Sequence, residues 1–483
     1  MSDDDLVLGV DSSTQSTKAV LHRIGDGAVV AAAAAPHPRT SPPVSEQDPA
    51  AWWGALEAAC AALPAALRAR VGAVAVAAQQ HGAVLVDARG AVVRPAKLWN
   101  DTESAPEAAA LVARLGAEGW AAAAGSVPLA AFTITKLAWV AHHEPEAMAA
   151  TATVLLPHDW LTWRLTGSAT TDRGDASGTG YWSPSEERWR PDLLALVADR
   201  EWESALPRVL GPDETAGALR ADAAAALGLP AGIPVGPGTG DNMAAALSLG
   251  IGPGDLAVSI GTSGSVFSVS TPPVRDPSGL VAGFADATGR YLPLACTLNA
   301  ALVTDAVARL LGVDHVGLEA LWAEAPAGAE GVVLVPWLDG ERTPDRPGAT
   351  GLLTGFRSDV RRDQLARAAF EGVVCGLLAA ADAIGATGVA TGSGVVALVG
   401  GGAKSAAYRA TLADLSGRPV VVLDRDEHVA AGAAIQAAAV LTGRAPVEVA
   451  AAWRPAERAR VEPDPTVDVD AIRARYAAAT QRA

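Results

Sequence analysis

Two short stretches of the chain are built alike and lie about half a chain apart. In the first, apolar runs flank Asp11 and a turn of serines and threonines at 12–17. In the second, apolar runs flank the turn Gly261-Thr262-Ser263-Gly264. Each pattern predicts two strands joined by a tip that presents backbone N–H groups and hydroxyls, which suit a phosphate. Two such tips, one in each half, predict a duplicated molecule that holds a polyphosphate between its halves.

The length and the local patterns predict two α/β domains. A chain of 483 residues, half of them hydrophobic, has ample material for two cores. Strands and helices alternate in both halves, which is typical of α/β folds with a mixed sheet. A glycine-rich bend at 236–240 leads into a helix at 241–249, and we place the domain boundary there, giving domains of residues 1–245 and 246–483.

Several elements can be located from local signals. The segment 46–63 is expected to be helical, with Asp48 as its cap and Pro49 in its first turn. Further segments with strong patterns are the buried strand 71–78, the strands 397–399 and 420–423, the alanine-rich helix 430–441 and the last helix 469–479.

Charge and composition argue against several classes of partner. The net charge of -16 argues against nucleic acid. No run of 18 apolar residues is free of charges or turn signals, so no membrane span is expected. The first residues, MSDDDL, are acidic where a secretory signal would be basic. The three cysteines are far apart, which suits a reducing compartment, and we expect a cytoplasmic protein.

The two glycine runs do not complete a known nucleotide motif. Gly400-Gly401-Gly402 precedes Ala403 and Lys404, but the first glycine of a Walker loop is missing. The run at 236–240 likewise falls short of a dinucleotide fingerprint. Both can bring the backbone close to a nucleotide, and the alternative for both is a tight packing turn.

Asp241 is the strongest single candidate for a catalytic residue. It follows the glycine-rich bend and opens a helix at the junction of the two halves, where ligands commonly bind. A carboxylate there can accept the proton of an alcohol that attacks a phosphorus atom. The alternative is that Asp241 is only a helix cap.

Polar and aromatic residues of the first half are candidates for binding a polyol. Gln80 and His81 follow a predicted strand, Asn242 follows Asp241, and Trp99 offers an indole face. A lone histidine is more often structural than catalytic, and packing in the core accounts for most tryptophans. These residues are therefore candidates that need further support.

The ordered set of motifs resembles the FGGY carbohydrate kinases, most of all the xylulokinases among them. The likeness runs along nearly the whole chain. Its pieces are Asp11 with its Ser/Thr turn, Ser45 to Pro49 before Trp52-Trp53, Gln80-His81-Gly82, Trp99-Asn100-Asp101, Phe132-Thr133 before Lys136, Gly240-Asp241-Asn242, Gly261 to Gly264, Gly340 to Pro344, Gly351 to Glu371, and Gly400 to Lys404. Ser12-Ser13 and Gln80 depart from the commoner pattern of the family.

The resemblance implies two actin-like (ribonuclease-H-like) ATPase domains that close on ATP and a sugar across a cleft. It implies that Asp241 is the general base, and that Asp11 lies near Mg²⁺ and the transferring phosphate. The sugar would contact Gln80, His81, Asn242 and Trp99. The nucleotide would contact Ser13, Thr14, Gly261, Thr262, Ser263, Gly401, Gly402 and Ala403.

The activity that the resemblance implies is the Mg²⁺-dependent transfer of a phosphoryl group from ATP to D-xylulose, giving D-xylulose 5-phosphate. One alternative is a sister kinase for ribulose, gluconate or a polyol such as arabinitol. The other is a non-catalytic ATP-binding sugar sensor. The expected partners are small molecules, the sugar and ATP, with neither nucleic acid nor membrane, and the family allows a homodimer.

Overall fold

The computed structural model describes residues 5–483 and has an α/β architecture built on two seven-stranded mixed sheets. In the described residues the helices are α1 (Pro49–Ala62), α2 (Ala65–Arg68), α3 (Ala105–Ala124), α4 (Thr133–His143), α5 (Pro145–Ala150), α6 (Pro157–Thr166), α7 (Arg173–Ala176), α8 (Pro191–Leu194), α9 (Ala221–Leu227), α10 (Asp241–Leu249), α11 (Ala301–Leu311), α12 (His315–Glu324), α13 (Arg362–Ala386), α14 (Ala406–Ser416), α15 (His428–Thr442), α16 (Pro446–Ala452) and α17 (Val469–Thr480).

The strands of the same residues are β1 (Leu6–Ser12), β2 (Ser16–Arg23), β3 (Val29–Pro36), β4 (Glu46–Gln47), β5 (Val71–Ala78), β6 (Val84–Val86), β7 (Ala96–Lys97), β8 (Thr153–Leu155), β9 (Thr170–Asp172), β10 (Trp182–Ser183), β11 (Arg188–Trp189), β12 (Arg208–Leu210), β13 (Gly217–Ala218), β14 (Pro234–Val235), β15 (Thr239–Gly240), β16 (Leu256–Ile260), β17 (Gly264–Phe267), β18 (Ala282–Ala285), β19 (Tyr291–Thr297), β20 (Val333–Val335), β21 (Leu352–Thr354), β22 (Val396–Val399), β23 (Val420–Leu423) and β24 (Glu457–Val461).

The two large sheets repeat the same strand arrangement. In the first, the order is β3-β2-β1-β5-β14-β13, with β15 also paired to β5. In the second, the order is β18-β19-β17-β16-β22-β23-β24. Strand β1 pairs antiparallel with β2 and parallel with β5, and β16 pairs antiparallel with β17 and parallel with β22. The two like turns of the sequence therefore connect equivalent strands of a duplicated fold.

The first sheet is covered on both faces. Successive side chains of β1 point to opposite faces, and each face packs in a core. Leu6, Leu8 and Val10 pack in one core with α1, whereas Val7 packs in another core with α15. All seven residues of β1 are buried. Helix α15 comes from near the end of the chain, so the last part of the sequence completes the core of the first sheet.

Helix α15 approaches its neighbours closely because glycines lie at the contacts. A Cβ atom at Gly9 of β1 would lie 2.0 Å from the carbonyl oxygen of Ala430. A Cβ atom at Gly432 of α15 would lie 2.0 Å from the carbonyl oxygen of Ala244 in α10. Strand β1, helix α15 and helix α10 are therefore packed backbone to backbone.

The local predictions agree well with the observed elements. The predicted strands and helices are all present; most of their ends coincide with the observed ends, and all but one of the others differ by one or two residues. The helix expected at 46–63 begins at Pro49, because Glu46 and Gln47 pair with β7 as a short strand. Asp48 caps this helix by accepting a hydrogen bond from the Ala50 N–H at 2.9 Å.

Within the described residues, one helix is long and apolar enough to cross a membrane by those criteria alone. It is α13, and 78% of its most apolar window is buried inside the structure. It packs in the core of the second sheet with α11, α12 and α14, which is the position of a core helix.

Candidate active site

The tip of the first hairpin spans residues 13–15 and is held by its own hydroxyl groups. The Ser13 N–H and Oγ both donate to the Ser16 carbonyl at 3.0 Å, which closes the turn. Thr14 Oγ1 donates to Gln79 Oε1 and accepts from Trp99 Nε1, both at 2.9 Å. Trp99 is thereby tied to the tip while its side chain remains partly open to solvent.

Asp11 lies at the end of β1 and is buried. Its Oδ2 lies 3.8 Å from Lys18 Nζ, which in turn binds Glu427 Oε2 at 2.6 Å. Its Oδ1 is buried and has no hydrogen-bond partner among the described residues. Burial raises the pKa of Asp11 to about 6, although the charge of Lys18 opposes the rise.

Asp241 is the first residue of α10 and stands next to Asn242 and Gln80. Its Oδ1 accepts the backbone N–H of Asn242 at 2.7 Å and Asn242 Nδ2 at 2.9 Å. Asn242 Nδ2 also donates to Gln80 Oε1 at 2.9 Å. The N-cap position of α10 is occupied by Gly240, and no side-chain hydrogen bond caps the helix in the described residues. Asp241 is therefore the first helical residue and not the cap.

The pKa of the Asp241 carboxyl is raised to about 7. Burial is the largest cause, followed by the negative charges of Asp11 and Asp175. A general base is most effective when its pKa lies near the working pH. The position of Asp241 therefore suits proton transfer.

His81 is buried between two aromatic rings. Its ring stacks on the Phe132 ring with 5.0 Å between the ring centroids, and its centroid lies 5.6 Å from that of the Phe284 ring. Burial lowers the pKa of His81 to about 3, assisted by the positive charges of Arg342 and Lys136. The imidazole is thus neutral near pH 7 and can only donate or accept hydrogen bonds.

A cavity of about 360 Å³ brings residues of both sheets together, and we call it the cleft cavity. From the first half it is lined by four of the predicted sugar-binding residues and by Asp241. From the second half it is lined by the Gly261–Ser263 turn and by Arg342 among others. The predicted site residues in its wall are Gln80, His81, Trp99, Asp241, Asn242, Gly261 and Ser263.

A second cavity of about 480 Å³ lies on the other side of the same turn, and we call it the outer cavity. Gly261 and Thr262 line it together with Gly401 and Gly402, and two aromatic residues, Phe370 and Tyr408, complete its wall. Ala403 lines an adjoining third cavity with Gly401. A Cβ atom at Gly402 would lie 2.4 Å from the Ile260 side chain, so this turn packs tightly on β16.

Asp11, Ser13 and Thr14 do not line the cleft or outer cavity. Asp11 still acts on the site, because its charge contributes to the raised pKa of Asp241. Thr14 reaches the cleft cavity only through Trp99. The hydroxyl and the backbone N–H of Ser13 are both used within its own turn, so neither is free to donate to a ligand in this conformation.

Two groups of residues near Asp241 were not selected from the sequence. Arg342 lines the cleft cavity from a loop whose sequence alone indicates only a surface turn. A buried cluster of His158, Asp172 and Asp175 lies behind the segment that carries Asp241. A turn signal marks the loop of Arg342 but does not indicate a site, and no local pattern marks the buried cluster, since its residues meet only in the folded chain.

Comparison with solved structures supports the two-domain architecture. A xylulose kinase from Bifidobacterium adolescentis superposes with a TM-score of 0.87 and 40% sequence identity, covering 99% of this chain and 100% of that one. The two sheets are thus the two actin-like ATPase domains of this kinase fold, with the cleft cavity between them.

Comparison with other sequences gives the family. A xylulose kinase of Streptomyces rubiginosus is 50% identical over 454 residues, which are 93% of this chain and 91% of the relative. One of Escherichia coli is 37% identical over 86% of this chain and 85% of its own. Residues 6–248 match the model of the N-terminal domain of the FGGY family of carbohydrate kinases, and residues 256–441 match that of its C-terminal domain. The chain therefore belongs to the FGGY family of carbohydrate kinases.

Proposed function

We propose that this kinase transfers the γ-phosphoryl group of ATP to D-xylulose, giving D-xylulose 5-phosphate. The relatives that are 50% and 37% identical are xylulose kinases. The observation that supports the chemistry best is the carboxylate of Asp241 in the wall of the cleft cavity, with the Gly261–Ser263 turn of the other half in the same wall. An acceptor hydroxyl between them would meet a base and a phosphate-binding turn.

The hydrogen bonds of Asp241 indicate which oxygen takes the proton. Oδ1 already accepts two hydrogen bonds from Asn242. Oδ2 accepts none from residues 5–483 and is the oxygen left to face the acceptor. The hydroxyl would lose its proton to Oδ2 as its oxygen attacks the phosphorus, and neutral His81 and Gln80 would orient the sugar by hydrogen bonds.

Mg²⁺ fits the environment of Asp11. The buried Oδ1 has no partner among the described residues, and carboxylate oxygens are ligands that Mg²⁺ prefers. When bound, the ion would neutralise charge on the phosphates. Lys18, which is close to Asp11, adds a positive charge from the chain itself.

The two halves would divide the substrates between them. We assign the sugar and the first phosphate turn to residues 1–245, and ATP to residues 246–483. The adenosine would lie in the outer cavity against Gly401 and Gly402, with Ala403 beside it, and the phosphates would extend past Gly261, Thr262 and Ser263 toward the cleft cavity. The shared turn between the two cavities supports this path.

The three cysteines are all free, and Cys60 and Cys375 are buried. Burial raises the pKa of each of these two thiols to about 12, so they stay protonated and unreactive. We propose that the kinase works in a reducing compartment, the cytoplasm, because its three cysteines form no disulfide.

The first experiment is ADP release from Mg-ATP with D-xylulose, D-ribulose, L-ribulose, gluconate, glycerol and arabinitol as acceptors. We expect D-xylulose to give the highest kcat/KM. A higher kcat/KM with another acceptor would identify that acceptor as the substrate and leave the proposed mechanism unchanged. Release of ADP with none of them, despite binding of ATP, would favour a sensor.

Gluconate is the second candidate acceptor, because of Arg342. Arg342 lines the cleft cavity and forms no ion pair with a carboxylate of residues 5–483. A carboxylate-bearing acceptor would find a cationic partner there. If Arg342→Met lowers use of gluconate but not of D-xylulose, the arginine serves the anionic acceptor.

A further inference from the structure

A buried charged cluster lies directly behind the segment that carries Asp241. His158 Nδ1 lies 2.8 Å from Asp175 Oδ2, and His158 Nε2 lies 3.1 Å from Asp159 Oδ1. All three side chains are buried. Although burial opposes protonation, Asp159 and Asp175 raise the pKa of His158 to about 9, so the imidazole is a cation held between carboxylates.

Asp172 links this cluster to the segment before Asp241. Its Oδ1 accepts the Asp175 N–H at 2.9 Å, and its Oδ2 accepts the Gly174 N–H at 2.9 Å. The same Oδ2 accepts the hydroxyl of Thr239 at 2.7 Å. Thr239 is fully buried and lies two residues before Asp241.

The segment is held on its other side by the first sheet. Thr239 and Gly240 pair in parallel with Ala77 and Ala78 of β5. The bend before them packs on the cluster, because a Cβ atom at Gly238 would lie 2.6 Å from His158 Cδ2. The residues 238–240 are therefore clamped between β5 and the charged cluster.

The position of Asp241 is set by this clamp on one side and by the packing of α10 on α15 on the other. As the first residue of α10 it follows this clamp directly, and among the described residues its carboxylate accepts hydrogen bonds only from Asn242. Asn242 is the next residue along, and its side chain is held in turn by Gln80 Oε1 at 2.9 Å. A displacement of about 1 Å at a reacting group can lower the rate about 100-fold.

We propose that Thr239 is a positioning residue: its hydrogen bond to Asp172 aims the carboxylate of Asp241 at the acceptor hydroxyl. This proposal rests on the phosphoryl transfer proposed above and adds the residues that hold its base in place. Thr239 does not line the cleft cavity and acts through Asp241 alone.

The test compares three substitutions. Thr239→Val keeps the shape and removes the hydroxyl, and Thr239→Ser keeps the hydroxyl. The matched control is Thr170→Val in β9, because Thr170 is buried two residues from Asp172 and its hydroxyl has no partner among the described residues. Each variant is made in the wild type and in Asp241→Asn, and kcat and both KM values are measured with the best acceptor of the panel.

We expect Thr239→Val to lower kcat at least about 10-fold while both KM values stay within about 3-fold, because the base is misaimed and the pocket is intact. Thr239→Ser should recover most of the rate, and Thr170→Val should leave it unchanged. In the Asp241→Asn background Thr239→Val should have no further effect, since the group that it aims is gone.

Three results would overturn the proposal: a kcat of Thr239→Val within about 2-fold of the wild type, an equal loss in Thr170→Val, or the same further loss in the Asp241→Asn background. If Thr239→Val does not fold, Thr239→Cys replaces it, with the same criteria. Wild-type activity on D-xylulose is measured separately, so a wrong sugar is told apart from a wrong positioning role. Absence of turnover with every acceptor would overturn both.

Discussion

The carboxylate of Asp241 concentrates the chemistry of this kinase in one side chain. We expect Asp241→Asn to lower kcat by about 10²- to 10⁴-fold, because a positioned general base contributes about that much. The amide oxygen can still accept both hydrogen bonds from Asn242, so the fold should stay intact. Steady-state kinetics measure the loss, and an unchanged melting temperature is the control. Near-normal turnover would remove Asp241 from the role of base.

The raised pKa of Asp241 predicts how activity depends on pH. The base must be ionised to accept a proton, and its pKa is about 7. We therefore expect kcat/KM for the sugar to fall about 10-fold per pH unit on the acid side of an apparent pKa near 7. A profile of kcat/KM between pH 5 and 9 at saturating Mg-ATP measures this limb. A flat profile down to pH 5 would contradict the assignment.

Local sequence signals were sufficient for part of the site only. Asp241 could be selected because a glycine-rich bend and a helix start are encoded within a few residues. The turn at Gly261–Ser263 could be selected for the same reason. Arg342 and His158 could not be selected in this way, because each comes from a segment distant from Asp241. Their neighbours in the site are brought together only by the fold.

At the scale of elements, the contact of α15 with α10 predicts a strong effect of one methyl group. Gly432→Ala would place a Cβ atom 2.0 Å from the carbonyl oxygen of Ala244, and backbone cannot yield as a side chain can. We expect a loss of about 3 kcal/mol in the free energy of unfolding, which is typical of severe overpacking. Because α10 carries Asp241, kcat should fall as well.

The control for this prediction is Gly54→Ala in α1. Gly54 is an exposed helical glycine, and a Cβ atom there would meet nothing within 4 Å. Alanine favours a helix over glycine by about 1 kcal/mol, so this variant should be slightly more stable. Thermal unfolding of the two variants gives opposite signs. A Gly432→Ala protein as stable as the wild type would show that α10 and α15 can move apart freely.

Element types were predictable where the pattern is local and strong. The strand Val71–Ala78 and the helix Asp241–Leu249, with Gly250 after it, agree with the sequence signals. The start of α1 was placed three residues early, because the pairing of Glu46 with Lys97 is a contact between distant segments. Local propensity does not predict pairing between segments that are distant in the sequence.

At the scale of the whole molecule, the packing of α15 predicts that the first half does not fold alone. A fragment of residues 1–245 would expose the face of the sheet that carries Val7, Ala73 and Ala75, which α15 covers in the full chain. We expect the fragment to bind the dye ANS and to melt without a cooperative transition. Fluorescence and circular dichroism measure both properties.

Co-expression with residues 246–483 is the complementary experiment. It should restore a soluble, active complex, because it returns α15 to its site. A fragment of residues 1–245 that melts cooperatively and binds no dye would show that the first sheet does not need this helix.

The duplicated architecture of the molecule was predictable from the sequence. The packing of α15, from the second half of the chain, on the first sheet was not. Two like turns half a chain apart indicated two related halves, each with the same hairpin. The alanine-rich helix was also expected at nearly its observed place. Which sheet it covers depends on shape complementarity with Gly9, and no local pattern records that.

The distance along the chain between the first sheet and its cover also sets a time scale. Lys18 and Glu427, which meet beside Asp11, are 409 residues apart. A ribosome that adds about 5 to 20 residues per second needs about 20 to 80 s to make the intervening chain. The last strand of the first sheet, β15, is made about halfway through that interval, and from then until α15 is made one face of the complete sheet has no partner. The domain translated first is therefore among the last parts of the molecule to be finished, and its open face is what a nascent-chain chaperone would meet.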